Sequence, residues 1–291
     1  MVVAALYGRQ EVDTVNDKHL EPDIYVVGAG VRVPGHLTLE ALDILGRCRE
    51  IYTILPQPLH KWLPGELVPQ LRSVWPLYES GGLRREIYDR EVATVLDAAE
   101  RGRPIAYLAL GNPIVFDSVT QGVINEGTER GLDVCVIPGI SSIDTILVDL
   151  NYEVASGLQI FDASSLVGLG IEPRVDAACL LLQLGAFGTD YTTVGYEMQP
   201  GALTPLRDHL LCFYPAEHEV VFVTSAMKWE VKAKVDYMPL RDLDRADELE
   251  VRGSSLFVPR LRLPEPDPAF FARMSDPASL HEAYRPESGS Q

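Results

Sequence analysis

The chain has 291 residues, 46% of them hydrophobic, enough to bury one large core or two modest ones. Its 42 acidic against 25 basic residues leave a net charge of −17, a surface that repels phosphate backbones and argues against a nucleic-acid partner. Four cysteines without a CxxC spacing, six histidines without an HExxH pattern, no signal-peptide pattern and no apolar run of the ~18 residues a membrane span needs predict a cytoplasmic chain with neither metal nor membrane.

Residues 1–22 are polar and irregular and read as an N-terminal arm. A strand over 23–28 then runs into "GAGVRVPG", followed by a helical pattern over 37–47. The loop invites a dinucleotide reading, but that fingerprint needs a third glycine three residues after Gly30, where Val33 stands; Gly35 comes late, after Pro34. No acidic residue closes a second strand in "EIYTILPQP" (50–58). Further strands are expected at 50–54, 104–109 and 133–137, and helices at 84–101, 117–130 and 141–150. Short apolar strands alternating with helices of this length predict a parallel sheet covered on both faces, an N-terminal α/β domain over 23–152.

After "NYEVASG" (151–157) the pattern changes. Apolar runs at 158–162, 178–184, 219–225 and 254–259, with a helix near 203–213 and longer connections, predict a C-terminal α/β domain over 153–262 with a mixed sheet. The Pro-rich tail over 263–291 is expected to be extended and partly disordered.

Ligands in open α/β sheets gather beyond the carboxyl ends of the strands. Three such ends carry loop chemistry: "GAGVRVPG", "LALGNPIVFDS" (108–118) and "VIPGISSID" (136–144). Each alone reads as a turn with a helix cap, Asp117 or Ser118 in one and Ser141 or Ser142 in another. Three on one edge predict a ligand cleft.

Those loops, in that order, resemble the tetrapyrrole methylase superfamily, the class III S-adenosylmethionine methyltransferases. Its "VGxGPGDPxLLTLxA"-like opening corresponds to "VGAGVRVPGHLTLEA", its "GDPxxYS"-like loop to "GNPIVFDS", and its "PGISS" to Pro138–Ser142. Val31-Arg32-Val33 replaces "PGD" and Asn112 the aspartate, departures that weaken the case for a porphyrinoid substrate. "LYESGGLRREIYDREV" (77–92), "CLLLQLGAFG" (179–188) and "HEVVFVTSA" (218–226) are similar to the borosin peptide backbone α-N-methyltransferases, above all the split type whose precursor peptide is a separate chain.

The resemblance implies a cofactor, S-adenosylmethionine, in a cleft between the two domains. Its contacts would come from Leu110, Asn112, Val115, Ser118, Ser142, Gln183, Ser225, Ser254 and Ser255. It also implies a homodimer, a precursor peptide as partner, and catalytic roles for Tyr78, Arg84 and Tyr88. An amide nitrogen is a poor nucleophile because its lone pair is delocalised, so methylation needs its proton removed or the imidate-like oxygen stabilised. Arg84 and Tyr88, four apart, would project from one helical face. The arginine is expected to favour the Tyr88 phenolate as base, with Tyr78 orienting the amide from the preceding loop. Gln183, in an apolar strand, reads as a buried amide needing partners that a ligand would supply. Two alternatives stand beside this: a methylase of a tetrapyrrole or other small molecule on the same fold, and a non-catalytic peptide-binding homologue. Without the resemblance, Arg84 and Tyr88 read as a surface pair.

Overall fold

The computed structural model describes residues 21–55, 57–58, 61–228, 230–248, 253–279 and 284. Residues 1–20 of the arm expected over 1–22, and most of the last dozen residues, lie outside that set.

The first half forms a five-stranded parallel sheet of order β3-β2-β4-β1-β5, where β1 is Ile24–Gly28, β2 Ile51–Thr53, β3 Leu71–Ser73, β4 Ile105–Ala109 and β5 Val134–Ile137. Parallel strands need crossover helices, which cover both faces. Helix α1 (Leu39–Arg47) lays Ala41, Ile44 and Leu45 against Tyr25, Val27 and Leu108 on one face. A short helix, α2 (Trp75–Glu79), precedes α3 (Arg84–Arg101), and α3 packs with α4 (Ser118–Glu129) on the other face. There Val92, Val95, Leu96, Val119 and Val123 meet Ile24, Val26 and Ile105. The strands and helices expected here form within about two residues of their sequence-based limits.

Helix α5 (Ser142–Asp149) leads into a second five-stranded sheet of order β6-β7-β10-β8-β9. Its strands are β6 (Leu158–Asp162), β7 (Ala178–Leu182), β8 (Glu219–Thr224), β9 (Lys234–Pro239) and β10 (Ser255–Val258). Only β6 and β7 run parallel; the remaining pairs are antiparallel, so the sheet is mixed as expected. Helices α6 (Ala163–Gly168) and α7 (Thr204–Leu211) bury Leu166, Leu206 and Leu210 on its outer face. Its inner face packs Leu180, Leu182, Val221 and Val223 against Ile146 and Ile143 of α5 and Val115. That shared apolar layer joins the two halves, and the cleft opens beside it.

Strands β3 and β9 were not foreseen. "LRS" is three residues long, and "KVDYMP" carries Lys234 and Asp236 on a sheet edge, so neither shows an apolar run. The tail also departs from an extended reading: Asp267 caps α8 (Pro268–Met274), accepting from the amides of Ala269 and Phe270, with Pro268 at its first position.

Candidate active site

Three loops leave the carboxyl ends of β1, β4 and β5 and meet backbone to backbone. Gly30 and Gly111 exchange hydrogen bonds, N–H to carbonyl, at 3.1 and 3.0 Å. A Cβ on Gly139 would strike the Gly111 carbonyl and the Gly28 backbone, so only glycine allows this approach. Asp117 caps α4, accepting from the amides of Val119 and Thr120 at 3.0 and 3.1 Å. Ser141 caps α5 in a reciprocal box with Asp144.

Above these loops lies a cavity of about 670 Å³, walled by loops of the first sheet on one side and the ends of β7, β8 and β10 on the other. All nine residues expected to contact the cofactor line it: Leu110, Asn112, Val115, Ser118, Ser142, Gln183, Ser225, Ser254 and Ser255. Several are held in place by neighbours. The Asn112 side chain accepts from the Ile114 amide at 3.1 Å. Ser225 donates to Asp149 at 2.8 Å, and Asp149 pairs with Arg32 of the first loop at 3.7 Å. The Thr224 and Ser254 hydroxyls lie 2.5 Å apart. Val31, Ile54, Phe116, Ile146, Leu182 and Met227 supply apolar wall. No lysine, arginine or histidine is among the lining residues.

One expectation changes. Gln183 is not buried in its strand: β7 ends at Leu182, and Gln183 is the next residue, exposed and left-handed at φ 64°. The left-handed turn swings it out of the apolar core to the cavity wall, so ligand demand by a buried amide is no longer its signal.

The floor of the cavity carries the titratable groups. Tyr78 of α2 and Tyr88 of α3 line it, ring centroids 6.3 Å apart, beside Tyr107 of β4 and Asp117. Arg84 acts on Tyr88 electrostatically but is not among the cavity's lining residues, and it is half-buried while Arg85 and Arg90 are exposed. Its Nη2 donates to the Thr189 carbonyl at 2.5 Å and its backbone amide to Asp190 at 2.8 Å, while its buried Nε finds no acceptor. The second half of the chain thus fixes the first half's arginine.

Burial sets the electrostatics here. It pushes the Tyr88 phenol above its ordinary range; Arg84 opposes this, but less strongly, and Asp117 and Glu91 add to the rise. Arg84 thus acts on Tyr88 in the expected direction, toward the phenolate, and burial outweighs it, so the net shift favours the neutral phenol. Tyr78 is raised further still, by burial and then by Glu91, to whose Oε2 it donates at 2.6 Å. Sequence reading missed Glu91. It is fully buried on α3, among Ile87, Val92 and Val95, and burial lifts its carboxyl to about 7. An acid inside the apolar stripe of an amphipathic helix was the available signal.

Comparison with known proteins bears on this arrangement. Residues 23–230 match the model of the Tetrapyrrole (Corrin/Porphyrin) Methylases. A methyltransferase/ribosomally synthesized type II borosin cyclic peptide precursor of Phlebiopsis gigantea is 23% identical over 241 residues, 81% of this chain and 42% of the relative. A methyltransferase/ribosomally synthesized cyclic peptide gymnopeptides precursor of Gymnopus fusipes is 24% identical, covering 86% of this chain and 60% of the relative. The chain spans about half the length of these curated relatives. The uroporphyrin-III C-methyltransferase of Thermus thermophilus shares the fold at TM-score 0.56 and 22% identity over 84% of this chain and 97% of its own. A uroporphyrin-III C-methyl transferase from Thermus thermophilus complexed with S-adenyl homocysteine matches at TM-score 0.54 and 19% identity over 81% of this chain and 91% of its own.

Proposed function

The chain belongs to the tetrapyrrole (corrin/porphyrin) methylase family, and from that premise we propose that it is an S-adenosylmethionine-dependent enzyme that methylates backbone amide nitrogens of a peptide supplied as a separate chain. The observation that carries this reading is the cavity between the two sheets, walled by the nine cofactor candidates and floored by the tyrosines. The borosin relatives support the peptide as substrate class; in them the methyltransferase and the precursor share one chain.

The residues present fit the cofactor. Its volume falls in the range of small-molecule sites. The wall offers serine hydroxyls, the Asn112 and Gln183 amides and open backbone, and it holds no cation to repel a sulfonium. Leu110, Asn112, Val115, Ser118 and Ser142 would hold the group from the first sheet, and Gln183, Ser225, Ser254 and Ser255 from the second. When bound, it supplies an electrophilic methyl group.

The chain's own task is then to orient an amide and make its nitrogen nucleophilic. Tyr88, a neutral phenol, donates a hydrogen bond to the amide oxygen, and the Arg84 cation stabilises the negative charge that grows there. Both act without Tyr88 losing its proton. The apolar wall of Val31, Ile54, Phe116 and Met227 favours small apolar side chains flanking that amide. The homodimer implied by the resemblance belongs to this reading, and exposed Phe270, Phe271 and Met274 on α8 are surface that a second copy would cover. Incubation with S-adenosylmethionine and a capped valine–glycine repeat peptide, followed by fragmentation mass spectrometry, tests the function. Methylene increments on backbone nitrogens are expected; an unmodified peptide overturns the assignment for this substrate class.

A further inference from the structure

Deprotonating the amide leaves a question that Tyr88 does not answer: where the proton goes. We propose that Tyr78 and Glu91 form a proton relay, in which Tyr78 takes the amide proton at the cavity floor while handing its own to Glu91. This inference rests on the reading given under Proposed function.

The geometry is specific. Tyr78 lines the cavity, and its hydroxyl donates to Glu91 Oε2 at 2.6 Å, within the short range of a charge-assisted O–H···O⁻ bond. Glu91 is fully buried and not among the lining residues, so only a bridging group joins it to a ligand. Tyr107 also acts on the carboxylate as a hydrogen-bonding phenol, but no donor of ordinary geometry reaches Oε1. A buried carboxylate left short of donors is costly to keep. The cost has a use if the group must gain a proton.

The groups facing Glu91 can be named element by element. Tyr78 comes from α2, Tyr88 from the preceding turn of its own helix, Tyr107 from β4, and Asp117 from the N-cap of α4. The tyrosines supply phenols and Asp117 a second negative charge. Arg84, two turns back on α3, acts on Tyr88 and is turned toward Thr189. Burial and the Asp117 charge therefore both raise the affinity of Glu91 for a proton, and it stays within reach of neutral pH, at about 7.

The step balances. The amide N–H bond breaks as its proton bonds to Tyr78 Oη, and the original Tyr78 proton moves to Glu91 Oε2. The nitrogen's electron pair forms the new bond to the methyl carbon, and the sulfur of the cofactor keeps the electrons of the bond it loses. A positive sulfonium and a negative carboxylate become a neutral thioether and a neutral carboxylic acid. No phenolate accumulates, so the high affinity of buried Tyr78 for its proton is no obstacle. Glu91 acts through Tyr78 and touches no reacting atom.

The test uses the full chain with S-adenosylmethionine and the capped valine–glycine peptide, in single turnovers across pH. The relay predicts a rate that climbs as pH rises through about 7, because Glu91 must be ionised. E91Q should lose that limb and about 10²-fold or more in rate, yet bind S-adenosylhomocysteine as the native chain does, and E91D should restore part of both. Tyr78→Phe should fall as far as E91Q and lose the same pH limb, and the double variant should fall no further, since the two act as one unit; the rate and pH limb of Tyr78→Phe and of E91D decide the matter if E91Q does not fold. Without cofactor, an infrared carboxylic-acid band that titrates near neutrality should vanish when Glu91 is replaced, and should titrate at higher pH in Tyr78→Phe, which loses the hydrogen bond that favours the carboxylate. A native-like rate and pH limb in E91Q, or additive losses in the double variant, overturn the relay and leave the function standing. A native chain that methylates nothing overturns both.

Discussion

Replacing Tyr88 by phenylalanine removes one hydroxyl from the cavity and leaves the ring against Tyr78. On the account given, S-adenosylhomocysteine binding is unchanged and single-turnover methylation falls by about 10²-fold, the range reached when an oxyanion donor is lost. Arg84→Lys should suffer comparably, because an ammonium cannot keep the bond to Thr189 while facing Tyr88. Exposed Arg90→Lys is the control and should be silent. A second residue-scale outcome concerns stability. The Glu91 carboxyl rises from 4.5 to about 7 on folding, so its contribution is full below about 4.5 and is lost as pH climbs through about 7. Urea unfolding should therefore show E91Q gaining on the native chain by about 3 kcal/mol between those limits; a pH-independent difference would contradict a raised carboxyl. The family resemblance pointed to Arg84 and Tyr88, and their spacing of four put them on one helical face. Sequence reading missed Glu91, since one acid among the many charges of α3 looks like solvated surface until the packing of Ile87, Val92 and Val95 is known.

At the level of elements, the site depends on how closely three βα loops approach. Gly139→Ala would push a methyl group into the Gly111 carbonyl and the Gly28 backbone. Overpacking of this kind costs about 1–3 kcal/mol, and here it also spreads the loops that carry Leu110 and Ser142. The expected outcome is a lower unfolding midpoint together with S-adenosylhomocysteine affinity weakened at least tenfold in calorimetric titration. Unchanged affinity would separate the loop contact from the site. Most elements of this half were legible because strand and helix periods alternate cleanly, and the caps at Asp117 and Ser141 mark where α4 and α5 begin. Strand β9 was not, since an edge strand needs pairing partners more than an apolar run. Gln183 was placed correctly on the cavity but for the wrong reason: a left-handed turn, invisible in composition, carries it out of the core.

Across the whole molecule, the cavity belongs to neither sheet alone. A cofactor bound between Leu110–Ser118 and Ser254–Ser255 would tie the two halves together, and binding to the folded state alone adds about 2.7 kcal/mol at a hundredfold excess over Kd. Hydrogen exchange should slow in both segments when S-adenosylhomocysteine is added; protection confined to one half would place the ligand elsewhere. The two-sheet architecture was readable from the change of pattern after residue 157, whereas the apolar layer of Val115, Ile143 and Ile146 that fixes the sheets together was not, because it joins residues distant in sequence. The central claim is that this cavity delivers a methyl group to a peptide backbone nitrogen. Its most direct test is isotopic: S-adenosylmethionine with a trideuterated methyl group, incubated with the protein and the small-peptide and metabolite fraction of the cell that makes it, with the label located by fragmentation. The account predicts label on backbone amide nitrogens of a peptide, lost in Tyr88→Phe. Label found only on a tetrapyrrole, another small molecule or a side chain would contradict it.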